Sequence, residues 1–338
     1  MRIAVFGLGF MGSTHLQALQ NIPGVELVAV VSDDPVKLGG DLSAVQGNLD
    51  RPGQKIDFSQ ARKYRNIEDA IRDRDIEAVD LCLPTYLHAP AAIAALEAGK
   101  HVLVEKPMAL DGGECDRMID AAREAGKILM VAQVLRFWNA YVPVAEACRT
   151  AVYGPVRSAL FRRRCAAPGW GKWMQDPAKS GGGVFDLLIH DVDFCIHCFG
   201  KPEAVAATGF EDMPSGIDVI HASLFYPDIG AVVVSGGWHH PKSYPFSMEF
   251  TLSFRDATLE YSSAGRDLTV YGANGEARPV SVSDKDGFQA ELEYFLECAS
   301  QRQAPARCPP EESSAAVKIT RLLVESRNRN GERIPCCL

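Results

Sequence analysis

The sequence predicts a two-part α/β chain. A doubly wound parallel sheet comes first, and an α+β part built on a large, mostly antiparallel open sheet follows. Three observations carry this. Ile3 to Phe6 is an apolar, partly β-branched run, followed at once by Gly7, Gly9 and Gly12 in G-x-G-x-x-G spacing and by a helical stretch with Leu16 and Leu19 on one side. Strand-like and helix-like stretches then alternate as far as residue 132, the pattern of a parallel sheet flanked by helices. Beyond that, strand-like stretches cluster at 155–164, 203–210, 217–226, 229–238, 246–255, 257–261 and 267–272 with few helices between them, and Pro227-Asp228 marks a hairpin. We place the domain boundary between a dinucleotide-binding part, 1–126, and a substrate-binding and oligomerisation part, 127–338.

Composition agrees. A length of 338 residues suits two domains, and 47% hydrophobic with 23% charged residues suits a globular chain with a sizeable core. No run is long enough to span a bilayer and no signal-like segment precedes the first strand, so the expected location is cytoplasmic. A net charge of −8 argues against nucleic acid or an anionic membrane as partner. The run Arg162-Arg163-Arg164 reads as a sheet edge or a solvated face. Ten cysteines lack a framework spacing and read as reduced thiols; Cys195 and Cys198, inside a helical stretch, read as core thiols rather than a zinc half-site.

In the first part, each glycine of the opening turn has a mechanical task. Gly7 makes the tight turn, Gly9 lets backbone approach a pyrophosphate, and Gly12 lets helix and strand pack closely. The helix beginning at Phe10 and Met11 presents free N–H groups and its positive end to the phosphates. The second strand, Val25 to Val31, ends at Ser32-Asp33-Asp34-Pro35. A carboxylate there suits a ribose, for which Asp33 is the candidate beside Ser32, while Asp34 before Pro35 suits a helix cap. No arginine stands there to meet a 2′-phosphate, so NAD is expected over NADP.

Val36 to Gln46 reads as a helix, 47–63 as a polar loop, Ile67 to Ile71 as a short helix and Ala78 to Leu83 as the third strand. Pro84, Thr85 and His88 follow at that strand's carboxyl end, where ligands bind in such sheets. His101 to Val104 is the next strand and ends at Glu105-Lys106-Pro107, a grouping whose position favours chemistry; a cis Lys106–Pro107 bond is expected, aiming the ammonium into the cleft. A helix from Asp111 to Ala125, capped by Asp111 and closed by Gly126, leads to a fifth strand, Ile128 to Ala132.

In the second part, helices at 139–149, 186–199 and 288–300 are expected to cover one sheet face. The bare, partly apolar face left over predicts a homodimer or homotetramer joined sheet to sheet. Ser313 to Ser326 reads as a last helix. Gly181-Gly182-Gly183 leads into Asp186 and His190, which lie four apart and share a helix face, with Asp193 and His197 near it. A carboxylate that holds an imidazole in one tautomer is a general-base arrangement. His190, Asp193 and His197 offer a metal site as the lesser alternative, since no separate ligand set accompanies them; no metal is expected.

With these residues in hand, the chain resembles the Gfo/Idh/MocA family, glucose–fructose oxidoreductase, inositol dehydrogenase and relatives. The resemblance runs nearly end to end and rests on Gly7-Leu-Gly-Phe-Met-Gly12, Pro84-Thr-Tyr-Leu-His88, Glu105-Lys-Pro107, Arg136-Phe137 and Gly181-Gly-Gly-Val-Phe-Asp186-Leu-Leu-Ile-His190. It implies a Rossmann domain, an α/β domain with an open sheet, and oxidation or reduction of hydroxyl or carbonyl groups on sugars and cyclitols with a nicotinamide cofactor. Carried over by residue, it implies that Lys106 binds and polarises the reacting oxygen, that His190 beside Asp186 accepts the proton, that Glu105 lies on the nicotinamide side, and that Thr85, His88 and Gln133 border the cofactor. Ser32 departs from the family, many of whose members have the ribose-binding Asp at that position. Trp170 and Trp173 are candidates for lining the substrate pocket. The expected reading is an NAD(P)-dependent dehydrogenase acting on a hydroxyl, with an amine from the first part and an imidazole from the second meeting at one alcohol. The alternatives are a redox-neutral NAD-dependent glycoside-cleaving enzyme and a non-catalytic sugar- or cofactor-sensing protein.

Overall fold

The computed structural model describes residues 1–47, 51–169 and 171–337. It divides into two compact units, Met1–Val134 with Lys285–Ser314, and Leu135–Asp284 with Ala315–Leu338.

The first unit is built on a six-stranded sheet of β1 (Arg2–Phe6), β2 (Glu26–Val31), β3 (Arg62–Tyr64), β4 (Ala78–Leu81), β5 (His101–Glu105) and β6 (Leu129–Ala132). All its pairings are parallel, in the order β3-β2-β1-β4-β5-β6. The order reverses direction between β1 and β4, which is where ligands bind in such sheets. The crossovers carry α1 (Phe10–Leu19), α2 (Pro35–Leu38), α3 (Ile67–Ile71), α4 (His88–Glu97) and α5 (Gly112–Ala125). The cap expectations hold for α5: Asp111 accepts the Glu114 N–H at 2.9 Å, and Gly126 closes it at φ 60°.

Two local expectations fail. The helix expected over Val36 to Gln46 is the single turn α2, because the backbone at Gly40 and Leu42 turns instead to hydrogen-bond residues 54 and 56. β3 is an additional strand that begins at the end of the stretch read as a loop. It is three polar residues on the sheet edge, where one neighbour suffices and no apolar run is needed. The rest of that loop includes residues 48–50, which lie outside the described residues.

The second unit carries α6 (Val142–Thr150), a short α7 (Pro177–Ser180), a π-helical turn at Val184–Leu188 running straight into α8 (Ile189–Phe199), and a nine-stranded sheet. Its strands are β7 (Val156–Cys165), β8 (Ala204–Asp212), β9 (Ile217–Phe225), β10 (Ala231–Trp238), β11 (Ser247–Phe254), β12 (Ala257–Ser262), β13 (Arg266–Gly272), β14 (Ala277–Pro279) and β15 (Ile334–Pro335). Their order is β14-β13-β12-β11-β7-β10-β9-β8-β15, antiparallel except for β7 with β10. Along β7, Ala159, Phe161, Arg163 and Cys165 are buried while Leu160 and Arg162 face out, the period-two alternation of a sheet covered on one side. Tyr141, Phe161, Phe194 and Phe250 meet edge-on beneath it, with Tyr141 4.9 Å from both Phe194 and Phe250. The arginine run is therefore no sheet edge: β7 is the central strand. Arg163 points inward to pair with buried Asp191, while Arg162 and Arg164 pair with Glu249 on the open face.

The helix read at 288–300 is α9 (Gly287–Gln301), and it packs on α1 in the first unit rather than on the nine-stranded sheet. The last helix is α10 (Pro310–Asn328). The expected division at 126/127 thus differs from the compact units in two places. β6 pairs with β5 and so stays with the parallel sheet, and residues 285–314 return to the first unit because α9 buries Phe288, Leu292 and Phe295 there.

Candidate active site

In the first unit, the three glycines of the opening turn differ in what constrains them. A Cβ at Gly7, where φ is +95°, would meet the Cys82 carbonyl oxygen at 2.3 Å, and one at Gly12 would meet the Gly7 carbonyl oxygen at 1.9 Å. Packing alone excludes a side chain at both. A Cβ at Gly9 would meet nothing within 4 Å. Gly9 stands at the start of α1, where the helix's first N–H groups lack partners of their own, so its missing side chain keeps space free in front of an anion site. Gln133, at the end of β6, is buried, and neither its amide oxygen nor its amide nitrogen has a hydrogen-bond partner among the described residues. An unpaired buried amide suits a polar ligand group. Both features fit a nicotinamide dinucleotide.

At the end of β2, Ser32 Oγ accepts the Asp34 N–H at 3.2 Å and Asp34 accepts the Val36 N–H at 2.8 Å, so Asp34 is the cap of α2 and Asp33 stands exposed beside it. Thr85 is buried at the head of a 3-10 turn after Pro84. His88 is buried with Nδ1 2.8 Å from the Pro107 carbonyl and Nε2 2.8 Å from the Leu83 carbonyl. Burial lowers its pKa despite these acceptors, and the neutral ring donates to one carbonyl at a time. His88 therefore ties the β4 end to the Pro107 turn. The Lys106–Pro107 bond is cis, as expected, and Lys106 is half-buried at the end of β5.

Glu105 turns inward. One carboxylate oxygen accepts the Lys106 backbone N–H at 3.0 Å and the other lies 3.2 Å from His15 Nε2. His15, on α1, also has Nδ1 2.9 Å from Asp80, with Cys82 beside it and the Glu291 carboxyl of α9 at 4.0 Å. The whole cluster is buried, and sequence reasoning missed it. Its one signal is a histidine three residues after Gly12 on the face of α1 that meets the sheet. Burial by itself lowers the His15 pKa, but Asp80 and Cys82 outweigh it and hold the ring well above its ordinary value. Burial raises the Glu291 carboxyl well above 4.5, and His15 does not offset this against Glu105 and Asp80. The fold therefore favours the protonated form of both groups. Both folded pKa values exceed the unfolded ones, so both contribute stability at low pH that is lost as pH rises through the folded values. Glu291→Gln should flatten the fall in stability above pH 4.5 in denaturant melts taken across a pH series; an unchanged slope would contradict the assignment.

In the second unit, Gly181-Gly182-Gly183 enters the π-helical turn and α8. From Gly182 to Ile196 every residue is buried except Asp186 and His190, so these two polar side chains are what the element presents outward. Asp186 accepts the Trp238 Nε1–H at 3.1 Å. Asp193 does not join this pair. It forms a bidentate ion pair with Arg136, at 2.8 and 2.7 Å, both side chains buried, and His197 Nδ1 lies 3.4 Å from the same guanidinium. Arg136 thus anchors α8 one turn below His190. Cys195 is buried and Cys198 half-buried, and burial raises both thiols. Trp170 lies outside the described residues. Trp173 packs against the cluster of Cys165, Met174, Leu187 and Trp238.

A parallel sheet with this glycine turn defines a dinucleotide-binding fold, and comparison with known proteins narrows it. Residues 1–133 match the oxidoreductase family model with an NAD-binding Rossmann fold, and residues 141–278 match the GFO/IDH/MocA C-terminal domain. The chain belongs to the Gfo/Idh/MocA oxidoreductase family. Among relatives, it is 26% identical over 328 residues to D-xylose 1-dehydrogenase (NADP(+)) 2 of Haloferax volcanii, covering 94% of this chain and 96% of that one. It is 31% identical over 211 residues to myo-inositol 2-dehydrogenase of Thermotoga maritima, covering 62% and 58%. It spans 64% of the length of one uncharacterised relative that is 30% identical. Levoglucosan dehydrogenase in complex with NADH and levoglucosan shares the fold, with a TM-score of 0.86, 18% identity and all of both chains covered.

Proposed function

We propose that this chain is an NAD-dependent dehydrogenase that oxidises a hydroxyl of a sugar, a cyclitol or a derivative of either. The observation that carries the cofactor is Gly9, where no described residue comes within 4 Å of an added Cβ, at the head of α1 beside the point where the sheet order reverses. Gly7, Gly9, Phe10, Met11 and Gly12 would hold the pyrophosphate, Ser32 and Asp33 the ribose, and Pro84, Thr85 and Gln133 the remaining length. Once bound, the nicotinamide supplies a hydride acceptor. Lys106 holds the reacting oxygen and stabilises negative charge developing on it. A ring nitrogen of His190 takes the hydroxyl proton, and Asp186 orients the ring and stabilises its cation. Similarity to relatives named for D-xylose and myo-inositol supports the substrate class, and it disfavours a redox-neutral glycosidase or a non-catalytic sensor.

On the open face of the nine-stranded sheet, Leu160 and Tyr271 are exposed at 47% and 40%, which supports assembly as a homodimer or homotetramer through that sheet. The proposed location is cytoplasmic. The function is tested by offering sugars, inositols and their amino and acid derivatives with NAD and with NADP and following the reduced nicotinamide. Turnover with NAD on a polyol is expected; tight NAD binding without turnover on any of them would favour a sensor. Gly9→Ala should leave the thermal midpoint unchanged and weaken NAD at least about tenfold, whereas Gly12→Ala should destabilise the fold by roughly 1–3 kcal/mol. Equal NAD affinity in Gly9→Ala and wild type by calorimetry would remove the cofactor assignment.

A further inference from the structure

We propose that Trp238 and Asp218 are positioning residues that set the geometry of the Asp186–His190 pair by clamping the π-helical turn from which α8 springs. This rests on the catalytic reading of Asp186 and His190. Asp218 on β9 and Trp238 at the end of β10 face each other across the antiparallel pair, so one rung of the sheet supplies both. Asp218 Oδ2 accepts the N–H of Val184, the first residue of the turn, at 3.0 Å. Trp238 donates its Nε1–H to Asp186 Oδ2 at 3.1 Å, two residues further on.

The backbone is shaped to press on this rung. A Cβ at Gly182 would meet Asp218 Oδ2 at 2.4 Å, and one at Gly183 would meet Trp238 Cγ at 2.7 Å and the Asp218 carbonyl oxygen at 2.8 Å. The glycine run is thus explained by the clamp as much as by any ligand. A Cβ at Gly237, where φ is +136°, would meet the same Asp218 carbonyl oxygen at 2.1 Å, so the strand end has no slack either. Behind the rung, the buried Arg327 of α10 pairs with Asp218 and also with Glu211, which fixes the carboxylate.

The chemistry explains the residue types. A π-helical turn offsets the residues after it from ordinary helical register, so Asp186 and His190 share a face only as long as the turn keeps its shape. The first N–H of such a turn needs an outside acceptor, which Asp218 supplies. An indole N–H is a neutral donor: it fixes one carboxylate oxygen without cancelling the charge that His190 needs beside it. The rest of the ring fills an apolar cluster with Cys165, Met174 and Leu187, so it cannot swing away.

Trp238→Phe keeps an aromatic ring in the cluster, smaller than the indole, and removes the donor. We expect its kcat to fall roughly ten- to a hundredfold, the range for a lost hydrogen bond to a charged group. NAD affinity should stay near wild type, the thermal midpoint should fall by the cost of the cavity left in the cluster, and the deuterium isotope effect on kcat should rise as chemistry becomes limiting. Asp218→Asn, which keeps a carbonyl for Val184, should retain several times the kcat of Asp218→Ala. Asp186→Asn and His190→Ala are the reference variants. If both are inactive while Trp238→Phe turns over like wild type with an unchanged isotope effect, the clamp is refuted and the catalytic reading stands. If the reference variants themselves turn over like wild type, the catalytic reading fails first.

Discussion

Lys106→Met and His190→Ala should each lower turnover by about 10²–10⁴-fold while leaving the NAD dissociation constant within about threefold of wild type. The split follows from what each side chain is asked to do. Lys106 lies at the carboxyl end of β5, and its backbone is fixed by Glu105, whose carboxylate in turn lies 3.2 Å from His15 Nε2. Removing the ammonium leaves that scaffold, and therefore the glycine turn above α1, in place. His190 belongs to the second unit, on α8. Single-turnover and binding measurements on the same preparations separate the two quantities. Near-wild-type turnover in either variant would withdraw that residue's role, and a parallel loss of NAD affinity would recast it as a cofactor ligand.

The largest effect on stability is expected at Arg136. Its guanidinium makes two hydrogen bonds to Asp193 and both groups are buried, so Arg136→Leu leaves a carboxylate without its counter-charge inside the second unit. Breaking a buried pair from one side costs about 3–5 kcal/mol. Replacing both partners with apolar residues of similar volume costs much less. Arg136→Leu should therefore shift the denaturant midpoint strongly, and adding Asp193→Leu should recover most of the loss. A double variant as unstable as the single one would show that Arg136 acts through other contacts.

Much of the architecture could be read before any coordinates, for physical reasons visible in particular residues. Ile3 to Phe6 and Val102 to Val104 are fully buried strands, and such strands announce themselves as unbroken apolar runs. β7 to β13 announce themselves by alternation. β3, β14 and β15 did not, since two or three residues at or near an edge need neither pattern. The helix misplaced onto the second sheet, α9, has an apolar stripe that states that it is covered but not by what. Its contacts with α1, among them Phe288 and Glu291 with His15, assign it to the first unit. The same limit applies to charge. Arg136, Asp193, Arg163 and Asp191 read as polar residues near a helix, and their burial as ion pairs depends on partners 57 and 28 residues apart, a spacing that no local pattern encodes. Asp186 and His190 were legible as a pair because four residues on a helix is a local relation. Trp238 was not, because it reaches Asp186 from 52 residues away.

The most direct test of hydride transfer is a label-tracing measurement. A sugar or cyclitol that reduces NAD is prepared with deuterium on the carbon bearing the reacting hydroxyl, turned over with wild-type protein, and the reduced cofactor is examined by NMR. One deuterium per molecule is expected at carbon 4 of the nicotinamide, and none when unlabelled substrate is used in heavy water. Protium at that carbon from the labelled substrate, or deuterium drawn from the solvent, would contradict it.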